Sequence, residues 1–534
     1  MFFPFVSKLN SFIARQQNLA RGLVYAGLVG LFLWICSQFY LPGKGFTYLI
    51  EFGDQEEARY LPELRAIDHY ELRDSPGYDA QAYAQIAMRP RLSDPALRRA
   101  VDNLPYRARR ILFCWTAYAL AGGDPVRALN IYAVQNIICW LLLAGLLCRW
   151  FPPTRWDNLL RWAGVLFSFG LCVSVRGSLV DGPSLLLIAG AMVLLESGRA
   201  GLSAALFGLA GLGRETNVLA AVAALGPAAG RKWGRTLGLL ALALLPLLGW
   251  TLILSHWLGG AGTAGARNFS YPFVGYFAKW AEIARTVANG PHWMIRGTLL
   301  IQTALTVQWL FFALRPRWRD PWWRVGAVYA ALLVILGAAV WENYPGAAAR
   351  VLLPMTLAFN ILVPRGRAWL GVLLLGNLSI FALPDALPLP GRESFTVAGP
   401  RELRVVPATG QAIEAVFDSQ WYPPEKSWLE YWRWSRGPAT LVWRNPHPIA
   451  VTARISFGLR ADDRRQVVLR QGATERWRGS LEPGVLQRVV LPHVALAPGD
   501  TSWSFATDLP PRPPSRDDHR PVAFSVRDLK IDLR

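Results

Sequence analysis

Apolar runs long enough to cross a bilayer recur along this chain as far as position 384, and beyond position 400 they give way to short runs in which apolar and polar residues alternate. A membrane-crossing helix needs roughly 20 apolar residues, fewer where neighbours shelter its ends. By that test spans are expected at 23–41, 127–148, 158–175, 182–196, 200–213, 216–229, 236–257, 295–314, 325–341, 350–363 and 368–384. Together they make a polytopic α-helical membrane protein of about eleven helices. The stretch 111–121 is apolar but short, and is read as a re-entrant or surface-lying helix. The first span is read as a retained anchor.

The far end of the chain follows a different period. Runs such as Ala439-Thr440-Leu441-Val442-Trp443 and Val451-Thr452-Ala453-Arg454-Ile455-Ser456-Phe457 are separated by Asn-Pro, Pro-Gly and Asp-Asp turns, the pattern of a small β-sandwich. The expected organisation is a membrane domain at 1–384 with a first outer loop at 42–110, a Pro-rich linker at 385–400 and a β-sandwich at 401–534.

Composition supports the membrane reading: 53% of the residues are hydrophobic, 24 are Trp, and only 17% are charged against about a quarter in soluble proteins. The net charge of +20 sits largely in short links between spans, so it points to orientation rather than to nucleic acid. Links holding Arg149, Arg155 and Arg161, then Arg199, then Arg231, Lys232 and Arg235, then Arg315, Arg317, Arg319 and Arg324, then Arg365 and Arg367 alternate with charge-poor ones. Lys and Arg favour the cytoplasmic side. The N-terminus is therefore expected inside and the C-terminal domain outside. The five cysteines lie in the first third, mostly in apolar segments, and predict no disulfide framework.

On the outer side, charges fall at membrane edges: Asp79, Arg107 and Arg110 from the first loop, then Arg176, Asp181, Arg214, Glu215, Glu342 and Arg350. Such groups usually face a bundle interior or an aqueous cavity; ordinary snorkelling to water is the alternative for any one of them. The chain carries no P-loop, HExxH, Cys/His cluster, GxSxG or GxGxxG opening a helix, which argues against a nucleotide-driven machine. What remains is acid, arginine and aromatic groups near a membrane surface.

The first loop reads Gly77-Tyr78-Asp79-Ala80-Gln81-Ala82-Tyr83, then Met88-Arg89-Pro90, then Asp102-Asn103-Leu104-Pro105-Tyr106-Arg107-Ala108-Arg109-Arg110-Ile111-Leu112. With Val175-Arg176-Gly177-Ser178-Leu179-Val180-Asp181-Gly182, Gly213-Arg214-Glu215-Thr216, Ala349-Arg350-Val351-Leu352-Leu353-Pro354 and Gln420-Trp421-Tyr422-Pro423-Pro424-Glu425, it resembles bacterial membrane proteins of the GT-C glycosyltransferase superfamily. The likeness is to the group associated with cell-surface glycopolymer formation, which shows G-[YW]-D-G-Q-x-Y followed by D-N-x-x-Y-R-x-x-R-I-L. Ala80 and Ala82 depart from that pattern, and no D-x-D pair stands beside Asp79.

The resemblance implies an enzyme of the bacterial inner membrane that moves a sugar from a polyprenyl-phosphate donor to an envelope glycan or lipid acceptor on the extracytoplasmic, periplasmic side. Under it Asp79 is the expected general base. Arg107, Arg110, Arg214 and Arg350 are expected to hold the donor phosphate, with Arg176 and Tyr106 also lining the site. Tyr78, Gln81 and Tyr83 are expected against a sugar. Asp181 and Glu215 either orient the arginines or hold a divalent cation, Mg or Mn.

Other readings stay open at this point: Asp79 as a helix cap, Arg214 and Glu215 as a structural pair with each other, and Tyr106 with its neighbouring arginines as an anchor to lipid headgroups. The tail aromatics Trp421, Tyr422, Trp428, Tyr431, Trp432, Trp434 and Trp443 suit sugar stacking, sandwich core or a seat on the bilayer. As a whole, a glycolipid transporter or flippase and a non-catalytic scaffold of an envelope polysaccharide complex are the rival classes.

Overall fold

A computed structural model describes the chain apart from residues 1–2, 42–43, 68, 73–74, 226–232, 260–264, 290–291, 343–345, 390–403, 406–412, 427–430, 514–517, 519 and 534. Arg231, Lys232, Trp428 and positions 390–400 of the expected linker lie outside the described residues. Two compact units result. One comprises Met1–Glu71, Pro76–Ile283 and Arg296–Leu389; the other comprises Leu72–Ser75, Ala284–Ile295 and Pro390–Arg534.

The first unit is helical. Five described helical stretches are long and apolar enough to span a membrane: Gln16–Ser37, Pro125–Leu147, Gly234–Leu258, Arg296–Leu314 and Arg367–Ala386. A sixth is reached if Trp156–Leu166 and Phe169–Arg176, bent by 45° at their break, count as one span. That is fewer than hydropathy alone predicts. The segments expected at 182–196, 200–213 and 325–341 include the helices Asp181–Glu196, Ala200–Gly213 and Pro321–Ile335, of 16, 14 and 15 residues. At 1.5 Å per residue these reach about 21–24 Å, short of a hydrocarbon core near 30 Å. Where 216–229 was expected to span, Glu215–Ala224 is a 3-10 stretch, and 226–229 lies outside the described residues. At 350–363, the Leu353–Leu362 helix is preceded by the short Gly346–Val351 helix. The apolar stretch at 111–121 forms Leu112–Leu120, a nine-residue helix well below span length.

The second unit contains the expected sandwich. Strands Thr474–Leu481, Arg465–Gln471, Gly499–Thr507, Ala439–Asn445, Ile413–Phe417 and Arg404–Val405 form one antiparallel sheet in that spatial order. Gln487–Leu496, Val451–Arg460, Ser525–Leu533, Tyr431–Trp434 and Glu425–Lys426 form the other. The inner faces of both sheets share one core, in which Trp443, Leu469 and Trp503 meet Ile455, Phe457 and Leu459. Trp421 and Trp443 are buried in it, and Tyr422 and Trp434 are buried with Val522 in a smaller cluster. Packing, rather than an exposed stacking platform, accounts for these four.

Candidate functional site

The loop motif folds as a turn that starts a helix. Gly77 has φ +76°, and a Cβ there would collide with the Gln81 side chain. A side chain in this left-handed conformation costs about 1–2 kcal/mol. Gly77→Ala is therefore expected to lower stability by at least that amount, measurable by chemical or thermal unfolding of the purified protein in detergent. Tyr78 is the N-cap of the helix Asp79–Met88 and makes no side-chain capping bond. Asp79 stands in the first turn, where the helix dipole favours an anion, and its carboxylate is committed elsewhere, so the capping reading falls.

Asp79 Oδ1 accepts a hydrogen bond from Arg107 at 2.7 Å. Arg107 also donates to both carboxylate oxygens of Asp102, at 3.0 and 2.8 Å. Arg110 is buried: it donates to Glu215 Oε2 at 3.0 Å, to the Tyr83 hydroxyl at 2.8 Å and to the Tyr106 hydroxyl at 3.2 Å. From more than 160 positions further along the chain, Arg350 reaches Asp181 Oδ2 at 3.2 Å and the Tyr78 hydroxyl at 3.1 Å. Arg214 takes the other oxygen of Asp181. Asp181 is buried, so its charge depends on these two guanidinium partners.

These pairs form one electrostatic unit. Partial burial pushes the Asp79 carboxyl up, but the guanidinium groups of Arg107, Arg350 and Arg110 outweigh it and hold it below the ordinary carboxylate range. Four arginines, Arg107, Arg110, Arg214 and Arg350, face four carboxylates, Asp79, Asp102, Asp181 and Glu215. Asp79 keeps a third of its side chain exposed, which leaves it accessible, whereas Asp181, Arg110 and Arg350 beyond it are enclosed. The chemistry available is proton acceptance at Asp79 next to several fixed donors suited to an anion.

Arg214 and Glu215 therefore point to different partners, Asp181 and Arg110, rather than to each other. Arg107 and Arg110 are engaged inside the protein rather than at lipid headgroups, and Tyr106 Oη receives Arg110 and Asn268. Among the described residues no group of three or more His, Cys, Asp or Glu converges as metal ligands. Asp181 and Glu215 serve the arginines here.

Two expected site residues have structural tasks. Gln81 accepts from Gly53 N at 3.2 Å and from the Tyr60 hydroxyl at 2.9 Å, and donates to the Pro76 carbonyl at 2.6 Å, stapling the turn. Arg176 is buried, stacked on the Tyr48 ring at 3.8 Å, bonded to the Tyr48 carbonyl at 3.0 Å and paired with Glu51 at 3.2 Å. Glu51 adopts φ +59°, rare for a residue with a side chain, and its carbonyl receives the Tyr78 N–H at 3.1 Å.

Two participants were missed in the sequence. Asp102, inside the motif, carries the signal of an acid five residues before Arg107. Glu51 carries none, because its partner Arg176 is distant in the chain.

No protein-family profile matches the chain, and no curated protein does. Among solved structures it is similar to the arabinosyltransferase EmbB from Mycobacterium smegmatis, at 11% identity over 95% of this chain and 64% of that one, with a TM-score of 0.31. This chain thus covers less than two thirds of that enzyme. It is also similar to TmCBM61 in complex with β-1,4-galactotriose, at 9% identity over 23% of this chain and 88% of that one, with a TM-score of 0.16. At these scores neither likeness carries an argument about function.

Proposed function

We propose that this membrane protein is a GT-C-type glycosyltransferase that moves a sugar from a polyprenyl-phosphate donor to an envelope glycan or lipid acceptor. The reading puts it in a bacterial inner membrane with the N-terminus cytoplasmic and the sandwich at 401–534 in the periplasm. One observation carries it: Asp79 meets guanidinium groups from distant parts of the chain in a single array.

In the proposed reaction the acceptor hydroxyl gives its proton to Asp79 as its oxygen bonds to the sugar's anomeric carbon. The bond from that carbon to the phosphate oxygen breaks, and the electron pair leaves with the lipid phosphate. Arg350 and Arg214 stabilise the charge growing on it, which matters more than binding the donor at rest. Arg107 holds Asp79 as a poor base until a donor oxygen competes for its guanidinium. Tyr78 and Tyr83 position the arginines they bond.

A purified sample incubated with a panel of polyprenyl-phosphate sugars should transfer or hydrolyse at least one. No turnover with any member would remove the proposal. A pH profile adds a second check. The Asp79 carboxyl is depressed, so the deprotonated base persists into acid, and the acid limb of kcat/KM should lie below the unperturbed Asp value of about 3.9. Arg107→Gln removes a major stabilising charge and should move that limb to higher pH.

A further inference from the structure

We propose that the ion pair between Glu51 and Arg176 is a positioning device for Arg350, holding its guanidinium where charge grows on a leaving phosphate. What Arg350 meets there rests on the transferase reading; how it is held is geometry. Arg176 ends the helix Phe169–Arg176, and Asp181 opens the next helix, Asp181–Glu196. Between them Ser178 has φ +44°. The turn is fixed to the span Pro125–Leu147: the Tyr132 hydroxyl donates to the Ser178 carbonyl at 3.0 Å, and the Asn136 amide donates to the Ser174 carbonyl at 2.7 Å. Arg176 leaves this turn for Glu51, and Asp181 leaves it for Arg350. Arg350 also donates to the Tyr78 hydroxyl, and the Tyr78 N–H is held by the Glu51 carbonyl. The contacts close a ring that runs from Glu51 through Arg176, Asp181, Arg350 and Tyr78 back to Glu51.

Within that ring Arg350 bridges two sides, the Asp181 turn and the Tyr78 turn, and the Glu51–Arg176 pair ties the same two sides together independently of Arg350. The helix that ends in Arg176 also touches Arg350 directly. A Cβ at Gly170 would collide with the Ala349 carbonyl and the Arg350 backbone nitrogen, so a shift of this helix is passed to both Arg350 and its carboxylate partner. The pair suits placement more than stability. The side chains of Arg176 and Glu51 are 3% and 14% exposed, and a buried ion pair gains little over an apolar pair of similar volume. Glu51 and Ser178 both hold left-handed backbone, which is rare for residues with side chains and persists where the surroundings fix it. Glu51 and Arg176 are thus positioning residues that act through Arg350.

Kinetics of the purified full-length protein test this with Glu51→Gln. Its kcat should fall by roughly 10–100-fold, the scale of misplacing a group by about 1 Å, while KM for a polyprenyl-phosphate sugar changes little. In an Arg350→Ala background the same change should cost nothing further, because the group it places is gone. A near-normal kcat, or an equal loss in both backgrounds, overturns the proposal. Should Glu51→Gln not fold, because it strands the buried Arg176 charge, Glu51→Leu/Arg176→Met removes both charges and decides. Loss of kcat at wild-type thermal stability then supports placement, and a normal kcat overturns it. A spectroscopic readout needs no turnover. With 3-fluorotyrosine at position 78, the fluorine resonance of Glu51→Gln should move toward that of Arg350→Ala, since in both the Tyr78 hydroxyl loses the Arg350 N–H. A resonance that stays at the wild-type position overturns the proposal. If the wild type turns over no donor but the resonance moves, the transferase reading falls while the ring still places Arg350. If the wild type turns over and Glu51→Gln neither slows it nor moves the resonance, the positioning role falls and the transferase reading stands.

Discussion

Asp79→Asn should abolish sugar transfer while leaving expression and thermal stability close to wild type. The amide cannot take the acceptor's proton, and loss of a positioned general base typically costs about 10²–10⁴ in rate. The fold is expected to survive because Arg107 keeps both oxygens of Asp102 when Asp79 loses its charge. Side-by-side measurement of kcat and of thermal unfolding in detergent separates the two effects. A variant that turns over near-normally would strip Asp79 of the base role; if donor hydrolysis survived while transfer was lost, the base would act on the acceptor alone. Asp102→Asn is the control. It leaves Asp79 and Arg107 in contact and should lower the rate far less.

Arg350→Ala and Arg214→Ala should each reduce kcat/KM for the lipid-phosphate donor by about 10²–10³, the usual cost of removing a donor aimed at developing charge. Asp181 is bonded by both arginines, one on each oxygen. Either single variant therefore leaves the buried carboxylate with a partner, and both should fold. Removing the two together strands Asp181, and breaking a buried ionic cluster in this way costs about 3–5 kcal/mol. The double variant is expected to accumulate poorly or unfold well below wild type. Effects confined to KM would mean that the arginines bind donor without stabilising the leaving phosphate. Single variants as unstable as the double would mean that their role is structural.

The membrane-protein class, the strand-forming tail and the candidate motifs were legible because each rests on local pattern: apolar run length, alternation of period two, and acid, Arg and Tyr within one loop. Local pattern also limited the result. Hydropathy counts apolar residues but does not sense that Leu336 stops a helix inside the run 325–341, or that Leu352 separates two short helices at 350–363, so the full-length spans are fewer than the runs. The same local view assigned Gln81 and Arg176 to a ligand. In three dimensions the backbone of Gly53 and the strained Glu51 claim them.

Sequence alone determined that this chain belongs in a bilayer, that its tail forms strands, and that arginines and acids crowd one side of its expected topology. Tertiary structure decided which charges meet: Arg350 with Asp181 and Tyr78, Arg110 with Glu215 and Tyr83, and Arg107 between Asp79 and Asp102. The physical reason is range. Helix and strand periods are set by neighbours a few residues apart, whereas an ion pair between positions 181 and 350 exists only once packing has brought two distant helices together.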